Sequence, residues 1–233
     1  MKKLILAAFA LTTAASVFAQ GTIVFQTRNP GIYLQHVYAP LATAPTFSQI
    51  GNGTADLMLG GTSGSNTWAG FSLIGNLGTA GLYQAATTMA QLLTASGSNQ
   101  PESSLVAQTP VVTFRTGASA GFTMNGTTIT AANVLSPPAT IEMVAWDNST
   151  GLYTDWGNAT TIGSADWAWL HGLIAAGKSG AWSDALGGFG TPPGTPSFMQ
   201  AQSFNLYLVP EPSTFALAGL GLAALVAFRR RNK

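Results

Sequence analysis

Apolar and β-branched residues occur along this chain in short runs separated by glycine, proline and asparagine. That pattern predicts strands and turns. Residues 22–26 (Thr-Ile-Val-Phe-Gln) form the first run, and Arg28-Asn29-Pro30-Gly31 is a turn cluster that ends it. Residues 32–38 read as a second strand that closes before Pro40. Two shorter runs, 56–59 and 69–74, flank a Gly- and Ser-rich loop at 60–66. Further strands are expected at 111–115, 121–124, 127–130, 141–146 and 202–208. The pair around Asn125-Gly126 carries a strong hairpin signal, because that dipeptide tolerates the positive φ of a tight two-residue turn. Two segments depart from the strand pattern. Leu82, Tyr83, Ala86, Met89, Ala90 and Leu93 fall at the three-and-four spacing of an amphipathic helix. Residues 165–176 also read as helical, with Ser164 as N-cap and Gly177 as the stop. The expected fold is mainly β: an antiparallel β-sandwich, jelly-roll-like, with one or two helical insertions, occupying residues 20–208.

The two ends are patterned differently. Lys2 and Lys3 precede an apolar stretch at 4–14 and then small residues, with Val17 and Ala19 at the −3 and −1 positions of a cleavage site. Residues 1–19 are therefore expected to be a signal peptide removed by signal peptidase, leaving Gln20 first. At the other end Pro210, Glu211 and Pro212 precede an uncharged run from Phe215 to Phe228 and then Arg229, Arg230 and Arg231. The prolines fix φ and push their neighbours toward extended geometry, so the triplet reads as an open tether. The apolar run is about 21 Å long as a helix. Adding flanking residues and letting the arginines snorkel brings it closer to the bilayer core. A transmembrane helix is expected at 214–228, with the arginine cluster 229–231 as a cytoplasmic stop.

The order of these three parts resembles the PEP-CTERM sorting signal of exported bacterial proteins, over residues 209–233. The resemblance implies processing near Pro-Glu-Pro by an exosortase-type transpeptidase. It also implies a membrane-anchored precursor that is then delivered to the cell surface or extracellular matrix. The body is similar in outline to β-rich proteins that carry the same tail, through Phe-Arg-Thr-Gly at 114–117, Ala-Trp-Asp at 145–147 and the last strand at 204–208. That likeness implies a fold more than an activity.

Charge changes the picture of the exported part. Charged residues make up 7% of the chain, far below the usual quarter or so. Between Gln20 and Leu208 only Arg28, Arg115 and Lys178 oppose seven acidic residues, a net charge of −4. A basic patch for nucleic acid is therefore not expected. With no cysteine, neither disulfides nor thiolate metal sites are possible, and no cofactor or metal is expected.

Candidate chemistry is thin, and no catalytic residue is assigned. His36 and His171 are the only histidines and lack metal-ligand spacing. No Gly-x-Ser-x-Gly elbow frames a nucleophile. Glu142 with Asp147, Asp155 or Asp166 leaves a carboxylate pair conceivable but not indicated. Asp147-Asn148-Ser149-Thr150-Gly151 reads as turn chemistry rather than a Ca²⁺ loop. Five of the six tryptophans lie between 146 and 182, as core or as a sugar-stacking face. Trp146 is expected in the core. Trp156, in a loop, is expected to be the exposed one, and with Tyr153 it is the candidate glycan contact. Two function classes stay open: a non-catalytic structural or interaction component of the exopolysaccharide matrix, and a carbohydrate-binding module or glycan-active enzyme.

Overall fold

The computed structural model describes residues 21–58, 61–76, 81–124, 126–187 and 201–210. The sorting signal beyond Pro210, the signal peptide and the proline-rich stretch at 192–196 lie outside them. The described chain is mainly β, in several largely antiparallel sheets. Its centre is the pairing of β7 (Thr88–Ser96) with β11 (Ala139–Asp147), two nine-residue strands in continuous antiparallel register from Ala139↔Ser96 to Asp147↔Thr88. β8 (Val106–Ala107) and β9 (Val112–Thr113) pair with the far edge of β7. On the other side β12 (Ala176–Lys178) and β13 (Trp182–Asp184) both pair with β11.

β11 is buried at all nine positions, so it has a core on each face. Side chains alternate faces with period two. Ala139, Ile141, Met143 and Ala145 enter one apolar cluster together with Ala90 and Leu92 of β7. Val144 and Trp146 enter the other, with Leu93. The first cluster is closed by a two-stranded sheet of β1 (Gly21–Phe25) and β10 (Thr127–Ala131), which contributes Ile23, Phe25, Ile129 and Ala131. The second is covered by Trp156 and by α1 (Ala165–Leu170).

The remaining strands are short. β2 (Arg28–Asn29), β3 (Tyr33–Leu34), β5 (Leu57–Met58) and β6 (Thr62–Ser63) form an antiparallel meander. β4 (Val37–Tyr38) pairs in parallel with β14 (Phe204–Asn205), tying the end of the described chain to its beginning.

Several expectations are corrected. Residues 82–93 are not a helix: from Thr88 they are the strand β7. The sequence Thr-Met-Ala-Gln-Leu-Leu-Thr-Ala-Ser is apolar toward both faces because both are covered, and such a strand loses its alternation and imitates helical spacing. The Asn125-Gly126 hairpin does not form. The segment before it pairs locally, Thr123 with Phe114, while β10 after it pairs with β1. Asn125 itself lies outside the described residues, and Gly126 has φ +69°. The loop at 60–66 contains β6, and 32–38 is split into two strands at Gln35-His36.

The second helix begins as expected, with the Ser164 Oγ accepting from the Trp167 N–H at 3.2 Å, but it ends after one and a half turns. Gly172, at φ +70°, donates its N–H to the Trp169 carbonyl and turns the chain out. Gly177 is therefore no helix stop. It lies in β12, where a Cβ would collide with the backbone oxygen of Asn205, so its bare Cα lets the last strand pass. Gly177→Ala is expected to cost about 1–3 kcal/mol by overpacking, read as a lowered denaturant midpoint. An unchanged midpoint would show that the last strand moves aside freely.

Candidate functional site

The face of the central sheet that carries α1 also carries a cleft of ≈ 780 Å³. Register explains what lines it. Glu142 has the parity of Val144 and Trp146, so it points to the same face. Lys178 stands opposite Val144 in the β11–β12 ladder and shares that face. β12 stops at Lys178 and β13 starts at Trp182, both on the same edge of β11. Ser179 spans the gap through two hydrogen bonds with Met143: its N–H donates to the carbonyl at 2.9 Å, and its Oγ accepts from the amide at 3.0 Å. Gly180, at φ +73°, then turns away, and the cleft opens beside Glu142.

α1 adds Asp166 and Trp169, the 3₁₀ turn Glu102–Ser104 adds Glu102, and the final segment adds Tyr207. The Lys178 Nζ pairs with Glu102. It also lies 5.4 Å from the ring centre of Trp156 and 5.1 Å from that of Trp169, a cation–π arrangement. Three carboxylates thus surround one ammonium. Glu142 is 4% exposed, and its Oε2 has no hydrogen-bond partner. Burial pushes its carboxyl up to about 7; Lys178 acts against that, and Glu102 and Asp166 reinforce it. Burial also raises Asp166, again against Lys178.

The residues singled out in the sequence fall as follows. Trp146 is core, as expected, at 0% exposed. Trp156 is corrected: it is 2% exposed, its ring 5.8 Å from those of both Trp146 and Trp169. Its backbone N–H donates to the Gln91 Oε1 at 2.8 Å, which holds this loop residue against the sheet. No face of its indole is open to a sugar. Tyr153 is half-buried, packed on the same cluster, and its carbonyl accepts the Trp146 Nε1–H at 2.7 Å. Neither Trp156 nor Tyr153 lines the cleft.

Of the carboxylates, the fold brings Glu142 and Asp166 together and leaves Asp147 and Asp155 elsewhere. Asp147 caps a turn, accepting from the Ser149 N–H at 3.2 Å and the Ser149 Oγ–H at 3.0 Å, and burial raises its carboxyl. Glu102 and Lys178 were missed. A usable signal existed, since Lys178 is the one lysine between Gln20 and Leu208.

The histidines have local partners. The His36 Nδ1 lies 2.6 Å from the Asp56 Oδ1, and its ring lies 4.1 Å from that of Phe122. The Ser203 Oγ accepts from the His36 backbone N–H at 2.9 Å, so the hydroxyl serves the backbone. The His171 Nδ1 is 2.7 Å from the Trp167 carbonyl. Among the described residues no group of His, Asp or Glu side chains is arranged to hold a metal ion.

The end of the body leads into the tail. Leu206 is fully buried, Tyr207 exchanges two hydrogen bonds with Ala176, and the Leu208 N–H donates to the Pro45 carbonyl. Burial then falls through Val209 to an exposed Pro210. Val17, Ala19, Glu211, Pro212, Arg229, Arg230 and Arg231 lie outside the described residues, as does the apolar run at 214–228. Among the described residues no helix is long and apolar enough to cross a membrane.

Comparison with known families matches residues 208–231 to the PEP-CTERM protein-sorting motif. No curated protein and no solved structure matches the chain. The matched segment begins at Leu208, three residues after β14 ends, and it contains the Pro-Glu-Pro triplet, the apolar run and the arginines. The chain thus carries a PEP-CTERM sorting motif and is an exported substrate of exosortase, sorted to the cell surface.

Proposed function

We propose that this protein is a non-catalytic structural or interaction component of the exopolysaccharide matrix, released into it by exosortase processing at Pro210-Glu211-Pro212. In this reading the precursor loses residues 1–19 to signal peptidase. It is then held in the membrane by 214–228, with Arg229, Arg230 and Arg231 on the cytoplasmic side, while residues 20–208 face outward. The observation that carries it is the meeting of fold and motif: burial falls away over Leu208, Val209 and Pro210, the first residues of the matched tail. A processing enzyme needs an extended substrate, and two prolines in the triplet's sequence favour extended geometry.

We read the body as a jelly-roll-like sandwich, in which β1–β10 and the six-stranded sheet face one another across the first cluster. Such a scaffold suits a passive surface component. A second reading, a carbohydrate-binding module, is favoured by the acid- and aromatic-lined cleft.

Replacing Pro210, Glu211 and Pro212 together with alanine tests the sorting reading. Full-length protein, tail intact, is expected to accumulate in the membrane fraction, with little reaching the surface. Mass spectrometry that finds the variant processed like the wild type would overturn the proposal.

A further inference from the structure

Glu142 is a buried carboxylate at the centre of the longest strand pair, and one of its oxygens accepts nothing. Folded proteins keep such atoms paired, because an unmade hydrogen bond retains the full desolvation penalty. The cation already in the cleft cannot serve it fully. Lys178 is engaged by Glu102 and by two indole faces, and Asp166 competes for the same charge. The cleft therefore holds more acidic than basic side chains, and the buried Glu142 Oε2 has no hydrogen-bond partner.

A ligand that completes this set brings a cation of its own. The carboxylates are not grouped to hold a metal ion, and a lysine ammonium stands among them. Much of the remaining wall is apolar or aromatic, with Ile50, Leu170 and Tyr207 beside Trp169 and the hydroxyls of Ser48 and Ser103. Ile50 and Leu170 are 44% and 40% exposed, so a carbon skeleton entering the cleft would cover them. A volume of ≈ 780 Å³ lies within the range of small-ligand clefts, roughly 300–1,000 Å³. Organic ammonium ions suit such surroundings, donating charge-assisted hydrogen bonds to carboxylates and resting against aromatic faces.

We propose that this cleft binds an amino sugar with a free ammonium group, the ammonium donating to Glu142 and Asp166 and the ring covering Tyr207 and Leu170. The sugar identity rests on the matrix reading above; the ammonium rests on the cleft alone. The groups that face Glu142 are Lys178 from β12, Asp166 from α1 and Glu102 from the 3₁₀ turn, and their balance is what a ligand cation corrects. Hydroxyls of the same ring find further partners in Ser48 and Ser103 at the rim.

Calorimetric titration of the full-length protein at pH 7, where the Glu142 carboxyl is no longer fully protonated, tests this with three probes: a glucosamine oligosaccharide, its N-acetylated counterpart, and a lysine-containing peptide. The glucosamine oligomer is expected to bind, and the acetylated one, which lacks the charge, to bind at least about tenfold more weakly. Glu142→Gln keeps the shape and removes the charge; it should weaken glucosamine binding by about tenfold or more. Asp166→Asn should weaken it as well. A melting curve for each variant separates loss of the site from loss of the fold. Equal binding of the two oligosaccharides, binding of the peptide in place of the sugar, an unaffected Glu142→Gln, or no binding at all would each overturn the assignment. Lack of binding alongside normal, Pro-Glu-Pro-dependent processing would leave the sorting reading standing, so the two failures are distinguishable.

Discussion

Replacing Trp156 by alanine is expected to lower the melting temperature by about 6–20 °C. The indole is 2% exposed and lies between Trp146 and Trp169, so truncation opens a cavity under α1. Large-to-small changes of this kind cost about 3–5 kcal/mol. In a body of this size each kcal/mol moves the midpoint by about 2–4 °C. The consequence reaches the cleft, because Lys178 loses one of the two rings over which it sits. Its position beside Glu102 and Asp166 then loosens. An exposed, sugar-facing tryptophan would behave differently, changing stability by no more than about 0.5 kcal/mol. Thermal melts of the variant beside wild type decide between these roles. A shift under about 2 °C would return Trp156 to the surface.

Nothing in the sequence around Trp156 marks it as buried. It sits between Asp155 and Gly157 in a stretch without periodicity, and loop residues are ordinarily surface residues. Its burial depends on partners far away in the chain, Gln91 on β7 and Lys178 on β12. Nothing local announces them. The same distance hid the cleft. Glu142, Asp166 and Lys178 belong to three elements, and only the register of β11 against β12 places two of them on one face. Glu142 was legible as a candidate carboxylate, a charged residue flanked by Ile141 and Met143 in a run otherwise apolar, but its partner among Asp147, Asp155 and Asp166 was not. The strands β1, β9, β10 and β11 were legible because each carries β-branched residues with a turn signal at its boundary. β7 was not, since a central strand buried on both faces has lost the alternation that identifies strands. The N-cap of α1 was legible from Ser164, while the helix end was set by Gly172 rather than by the later glycine. By contrast, the sorting tail is a linear motif. A triplet, an apolar run and an arginine cluster in order need no tertiary structure to be read, so the tail was the most legible part of the chain.

The body should also be more stable in mild acid than at neutral pH. Glu142 has an ordinary value of 4.5 and is raised to about 7 in the fold by burial, with Lys178 opposing. Between those two values the folded protein holds a proton that the unfolded chain has released. Stability is therefore fully present below about pH 4.5 and is lost as pH rises through about 7. The contribution is about 3 kcal/mol at most, at 1.36 kcal/mol per unit. Asp147 and Asp166 are shifted in the same direction by burial, so they steepen the trend. Melts of the full-length protein should thus give a midpoint about 6–12 °C lower at pH 8 than at pH 5. Glu142→Gln cannot ionise, so it should lose most of that slope and melt above wild type at pH 8. A midpoint that climbs from pH 5 to pH 8, or a Glu142→Gln slope equal to wild type, would show that the carboxylate ionises freely in the fold. Ligand should act in the opposite sense to the buried charge. A bound ammonium stabilises the ionised carboxylate, so glucosamine oligomer at pH 7 should raise the midpoint of wild type more than that of Glu142→Gln.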